Sequence, residues 1–525
     1  MILDSLNIPY EVLEANDRVG GRIYTHRFNG TDGIDAPIGN PARYDYVDIG
    51  AMRYPKIKFM ERVFDLFERL GLKRDNLLIE YKYSASHTFE HYNGVRHNTS
   101  DTGSYDIFGV SENNLGAVPD EFVRKGADKI AEEIFKPYAD AFRQEPFAKA
   151  WAKLTAQDQH SMRAYLQKQK YPETVVAWLE TFQSATGLYN HSFVEATMDA
   201  MDFGSSSAAQ NGPTEAVFDW YCIDGGSDHF TSRMARLLKP EPVLGARVTK
   251  MESVGNEMEV TFVHGDEVKI KVYSQVISTV PLGCLAAIDI PKHSNRDPLS
   301  YMQRQAIRSL NYDTSTKDPA IMGDRVIQGG ISRSDLPIRT CVYPSYGFGV
   351  TSVSGVILAS YTWGQDAQRF GGLAQDKGSP ADQRLIELTL KNLSDMHGIP
   401  VEKFGRLVDH YTYNWHNDEF ARGAFALFGT AQFADGTERG NTMFASMKAP
   451  AAGGKLHIAG EATSVHHAWV LGSLNSAWRA VFNALGKHSD PHAKREQLQK
   501  EWGVPGEENT KSLLELCALS AVGAF

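Results

Sequence analysis

A mixed α/β fold is predicted for this 525-residue chain by three features. Glu14 is followed by Arg18, the doublet Gly20-Gly21 and Arg22. Residues 243–280 hold short β-branched runs broken by Gly, Asn and Asp, the pattern of a strand meander. At 455–480 a strand pattern, a Gly460-Glu461 turn and a helical pattern follow one another. Strands that feed glycine turns near both chain ends predict a Rossmann-like nucleotide domain assembled from separated segments.

The first segment departs from the usual order. In a dinucleotide-binding fold, the carboxylate that grips the ribose ends the second strand, about 20 residues after a GxGxxG turn. Counted back from Glu14, such a turn would begin before Met1, and no GxGxxG occurs elsewhere in the chain. The expectation is a chain whose first strand and phosphate loop are absent, with Met1, Ile2, Leu3 and Leu6 as the rear of the following helix and Pro9 ending it. Glycines after Glu14 let backbone amides approach a pyrophosphate, which Arg18 and Arg22 neutralise.

Further along, residues 115–220 show helical periodicity with few β-branched runs and read as a helical insertion. Another strand is predicted near 355–363, and the tail beyond 488 is polar, with a short helix near 513–519. The expected division is a nucleotide domain from 1–60, 222–290 and 440–487, a substrate domain on a β-sheet from 61–114 and 291–439, a helical domain at 115–221, and a tail at 488–525.

Composition narrows the class. With 42% hydrophobic and 22% charged residues the chain is ordinary globular protein, and a net charge of -10 argues against a nucleic-acid partner. No run approaches the roughly 18 apolar residues of a membrane span, and Met1 opens no export signal. A cytoplasmic location is the expectation for the chain as given, although a start upstream of Met1 leaves room for a lost signal. Four scattered cysteines suggest neither a metal site nor a disulfide framework.

The motif at 459–480 is the more specific of the two. Gly460 permits close approach, Glu461 can accept from a ribose or ribityl hydroxyl, and a helix starting near Val470 aims its positive end at a phosphate or flavin carbonyl. Together with Ile49-Gly50-Ala51-Met52-Arg53-Tyr54-Pro55 and the stretches 224–229, 278–283, 359–366 and 418–425, in that order, the chain resembles the flavin-dependent amine oxidases, and among them the L-amino-acid oxidases.

The resemblance implies non-covalent FAD, since no Cys stands in the segment before Trp469. It implies flavin contacts at Glu14, Ala15, Arg18, Gly21, Arg22, Gly50, Ala51, Met52, Arg53, Val248, Trp415, Gly460, Glu461, Ala468, Trp469 and Val470. Arg53 matches an arginine that clamps the substrate carboxylate, Tyr361 a tyrosine that shares it, and Trp469 an aromatic wall beside the flavin. Lys317 matches a lysine that holds a water near flavin N5 and assists reoxidation. After Lys317 the resemblance calls for an apolar strand, but Asp318-Pro319 is unsuited to a central strand, and the expectation is a lost segment or a misjoined gene model. His466 and His467 are read as structural, and His191 as a surface residue.

The implied reaction is oxidative deamination of an L-amino acid by FAD and O2, giving a 2-oxo acid, ammonia and hydrogen peroxide. The implied partners are small molecules, with a homodimer as the assembly to consider. The rival readings are a primary or polyamine oxidase of the same family, and an inactive member that has lost its phosphate loop.

Overall fold

The computed structural model describes all residues except 31–35, 184, 204–219, 293–296, 323–326, 351–354, 434–441 and 522–525. Its largest sheet has eight strands. Seven run in the order Leu407–His410, Ser315–Met322, Gly355–Trp363, Thr340–Val342, Ile331–Ser334, Phe89–Tyr92 and Val95–Asn98, and Tyr413–Asn414 pairs beside Leu407–His410 on strand 315–322.

Period-2 alternation gives this sheet two faces. Ala320, Ile357 and Ala359 point toward helices Gly364–Gly371 and Pro380–His397, where they meet Phe370, Leu385 and Leu393. Ile321, Val356 and Leu358 point the other way, into a core shared with Val47, Ile49 and Trp415. The second face turns toward the cavity described below.

The strand rejected at Asp318-Pro319 is present, and the expected break after Lys317 is corrected. Ser315–Met322 runs between two neighbours, and its register shifts between Asp318 and Pro319, a β-bulge. A bulge is where a sheet tolerates a residue without an N–H donor. The Asp318 carboxylate, buried at the bulge, accepts from Thr389 Oγ1 and Thr412 Oγ1, both at 2.8 Å.

The nucleotide segments are smaller than in a complete doubly wound sheet. Ile2–Ser5 is one helical turn, and Leu6 packs against Trp478 and Phe482. Leu13 makes a parallel bridge to Val243, and Glu14 N donates to Val243 O at 2.9 Å. The meander follows as Ala246–Val254, Glu257–His264 and Glu267–Tyr273, after which Val276–Ser278 lies parallel to Leu456–Ile458. Six helices of six to eighteen residues lie between Asp120 and Asp202. Their core is continuous with Met251, Leu282 and Phe428.

Behind helix Val470–Ala484, the tail forms Pro491–Trp502 and Thr510–Ala521. Between these helices Glu507 is buried. It accepts from Ser464 Oγ, from Val465 N at 3.0 Å and from Asn475 Nδ2 at 2.9 Å, while Glu508 pairs with Arg479 at 2.7 Å. The loop that leads to Trp469 is thus fastened from the tail.

Candidate active site

A cavity of about 730 Å3 threads between these elements. Segments 13–23, 49–54, 246–249, 279–288, 415–425, 460–461 and 468–473 contribute to its wall, together with Lys317 and Tyr361. Every residue that the sequence nominated for cofactor or substrate lines it.

At one end, Glu14 leaves the Leu13 bridge half-buried, with Oε1 accepting from Asn16 N at 2.8 Å. Burial, opposed by that hydrogen bond and by Arg18, raises its pKa. The chain then turns through Gly20 and Gly21 at φ +104° and +54°. A Cβ at Gly20 would stand 2.9 Å from both Ile23 O and Thr231 Oγ1. Arg18 donates to Gly21 O at 2.8 Å and lies 4.4 Å over the Tyr24 ring.

Gly50 touches the same turn from beneath, and a Cβ there would come within 1.8 Å of Arg22 O. Gly50→Ala is therefore expected to destabilise the protein by about 1–3 kcal/mol, the usual cost of overpacking. A urea midpoint equal to that of the parent would show that the two segments separate easily.

In the middle of the cavity Arg22 and Glu461 meet at 2.8 Å, although the sequence assigned them separately to pyrophosphate and hydroxyl groups. Glu461 also accepts from Ala426 N at 3.1 Å and Ala468 N at 3.2 Å. Ala468 is held at φ +64°, a region non-glycine residues seldom occupy. That turn presents Trp469 as the N-cap of helix Val470–Ala484, with no side chain capping its first amides. Trp469 Nε1 is buried and finds no hydrogen-bond partner among the described residues.

The far end belongs to Arg53, Lys317 and Tyr361. The Arg53 guanidinium carbon lies 5.2 Å from the centroid of Tyr83, 5.3 Å from Phe203, 5.8 Å from Trp220 and 6.0 Å from Tyr81. Burial opposes its charge, but the phenols of Tyr81, Tyr83 and Tyr361 outweigh that and raise its pKa. Tyr361 is pushed up to about 12 by burial, against the pull of Arg53.

Lys317, 2% exposed, stands 4.6 Å over the Tyr361 ring and donates to Gly50 O at 2.9 Å and Asp48 O at 3.0 Å. Burial lowers its pKa from 10.5 to about 7, against Asp48 and with help from Arg53. A folded-state pKa below the unfolded one means that the unfolded chain binds more protons between those values, so stability rises with pH from about 7 toward 10.5. Lys317→Met is expected to flatten that rise, read as urea midpoints at pH 7 and 9.5. An unchanged slope would place the titration elsewhere.

His466 and His467 face away from this chemistry. Their Nδ1 atoms meet Asp202 at 2.9 Å and Glu195 at 2.8 Å, and although burial lowers both pKa values, these carboxylates win and raise them. His191, read as a surface residue, is half-buried, and its backbone carbonyl accepts from Met162 N at 3.0 Å. Among the described residues, no cluster of three or more His, Cys, Asp or Glu suits a metal, and no helix is long and apolar enough to cross a membrane.

Residues 3–484 match the family model of flavin containing amine oxidoreductases. The chain belongs to that family. Among the relatives of this amine oxidoreductase, L-amino-acid oxidase 4 of Hebeloma cylindrosporum is 34% identical over 552 residues, covering 97% of this chain and 82% of its own. A Dictyostelium discoideum protein named as a bifunctional amine oxidase is 36% identical over 96% of this chain, which spans only 46% of that protein's length. Putrescine oxidase bound to putrescine shares the fold at TM-score 0.66 and 18% identity, over 93% of this chain and 96% of its own. Cyclohexylamine oxidase from Brevibacterium oxydans shares it at 0.61 and 16%, over 95% and 96%.

Sequence reasoning missed the aromatic cage of this amine oxidoreductase. Tyr81 and Tyr83 alternate after the strand Leu78–Glu80, a period-2 signal that would have marked one face. Phe203 and Trp220 stand on either side of residues 204–219, which lie outside the described residues, and join the cage through the fold.

Proposed function

We propose that this amine oxidoreductase oxidatively deaminates L-amino acids, using FAD held non-covalently and O2, and releases a 2-oxo acid, ammonia and hydrogen peroxide. One observation carries the reading. Arg53, half-buried among four aromatic rings, forms no ion pair among the described residues and lies on the cavity wall, where a substrate carboxylate would complete it.

The residues present fit a flavin dinucleotide. Glu14, directly after the Leu13–Val243 bridge, offers a carboxylate that can accept from ribose hydroxyls, and the Gly20-Gly21 turn leaves room for a phosphate where a Cβ on Gly21 would meet nothing within 4 Å. Gly460, at φ +123°, and the uncapped amides after Trp469 offer a second approach. A bound flavin would supply the two-electron acceptor that takes hydride from the substrate and returns the electrons to oxygen.

The protein's own part is positioning. Arg53 and the Tyr361 hydroxyl hold the carboxylate, the Trp469 ring limits how the α-carbon can turn, and Lys317 offers a buried amine that titrates near neutrality. On this reading the nucleotide domain comprises 1–60, 222–290 and 440–487, with the substrate and helical domains divided as predicted.

The deciding experiment compares purified holoprotein on common L-amino acids and on the amines formed by their decarboxylation. Peroxide from the amino acids is the expected result. Peroxide from the amines alone would assign a primary or polyamine oxidase. A colourless chain without stoichiometric flavin would remove the enzyme reading for this form.

A further inference from the structure

Lys317 makes a third contact to which the proposed reaction gives no task. Besides Gly50 O and Asp48 O, its Nζ meets Met52 Sδ at 3.6 Å. The stretch from Asp48 to Met52 wraps the amine, and both side chains reach the cavity wall. Met52 is half-buried there, packed against the core that holds Ile49 and Trp415. Of the 14 methionines in the chain, it alone lines the cavity among the described residues. Met60, Met258 and Met447 are buried in the cores, and Met234 and Met302 are partly exposed outside the cavity.

An ammonium carries three N–H donors, and a thioether is a weak acceptor. Two carbonyls engage Lys317, and the donor that faces sulfur stays available to a polar group in the cavity. A sulfoxide at Met52 would change that balance. Oxidation turns a flexible apolar side chain into a polar one, with an oxygen able to accept from the amine.

We propose that Met52 is a site of product oxidation: peroxide made in the cavity converts its thioether to the sulfoxide, which captures the Lys317 amine and slows further turnover. The proposal rests on the oxidase part of the reading above, the reduction of O2 to peroxide. The sulfur lone pair attacks one peroxide oxygen, and an S–O bond forms as the O–O bond breaks. The second oxygen leaves as water with both hydrogens. Sulfur gives up two electrons and peroxide takes them, so no further oxidant is needed. Cys284 is the other sulfur on the wall, and its Sγ meets Glu419 O at 3.5 Å. Burial raises its pKa, with Asp418 adding and Arg422 opposing, which disfavours the thiolate that reacts with peroxide. A thioether needs no such ionisation.

The test follows the flavin-loaded protein through repeated turnover of the L-amino acid or amine it oxidises, with its peptides mapped by mass spectrometry as activity declines. Met52 is expected to gain one oxygen in proportion to the activity lost, ahead of Met234, Met302 and Cys284. Met52→Leu, with each rate normalised to its own initial value, is expected to lose activity severalfold more slowly. In rapid mixing, the oxidised parent is expected to be slowed in reoxidation by O2 severalfold more than in anaerobic reduction by substrate.

Activity that declines while Met52 stays unoxidised overturns the proposal, as does oxygen on Met52 with no loss of rate. So do a Met52→Leu decay equal to the parent's and a slowing confined to reduction by substrate. Should Met52→Leu not hold flavin, the peptide map and the two half-reactions of the parent decide. Peroxide formed with Met52 intact sinks this proposal alone. No peroxide from any amino acid or amine sinks the oxidase reading and this proposal with it.

Discussion

Replacing Arg53 by methionine is expected to lower kcat/KM for L-amino acids by about 30-fold to a few thousandfold, the equivalent of roughly 2–5 kcal/mol. Methionine retains an apolar stem among Tyr81, Tyr83, Phe203 and Trp220, so the cage stays filled while the fork is removed. What is lost is the charge and the planar fork that would meet a carboxylate on the cavity wall. The ratio of activity on a decarboxylated amine to activity on its parent amino acid should rise by the same factor. If both substrates fall together, Arg53 supports the fold and the carboxylate is held elsewhere.

Glu461→Ala is expected to have the largest effect on stability. Glu461 compensates Arg22 and also accepts from Ala426 N and Ala468 N, so its removal leaves the half-buried Arg22 guanidinium with only Ala424 O, unpairs two backbone donors and frees the strained turn at Ala468. A buried donor left without its acceptor costs about 1–3 kcal/mol, a large share of the roughly 5–15 kcal/mol that holds a protein folded. Chemical unfolding should show the loss, and the purified variant should be deficient in flavin absorbance. Glu461→Gln preserves shape and one acceptor and should fall between the two. A Glu461→Ala variant that unfolds at the parent's midpoint would show that water replaces the carboxylate at no cost.

Much of this arrangement was legible along the chain because the signals were local. Glu14 followed by Gly20-Gly21, the β-branched run at 355–363 and the turn at Gly460 each compress strand, turn and helix start into a short window. Failures came where a distant partner decides the outcome. Asp318-Pro319 reads as a break, yet Thr389 and Thr412 arrive to satisfy the carboxylate, and a bulge absorbs the proline. Arg22 and Glu461, 439 residues apart, each read as a ligand group, and only the fold shows that they meet. The cage around Arg53 draws on residues from 81 to 220 and leaves no contiguous motif.

The buried carboxylate of Glu507 sets an order of events as well as a geometry. Chains are made from the N-terminus, and early segments begin to fold before later ones exist. The loop at 464–469 is synthesised before the carboxylate that receives Ser464, Val465 and Asn475. Until Glu507 follows, Ser464 and Val465 of that loop, and Asn475 of the helix after it, lack the acceptor that joins them. A nascent chain stalled before residue 507 would therefore carry the loop that leads to Trp469 without this anchor.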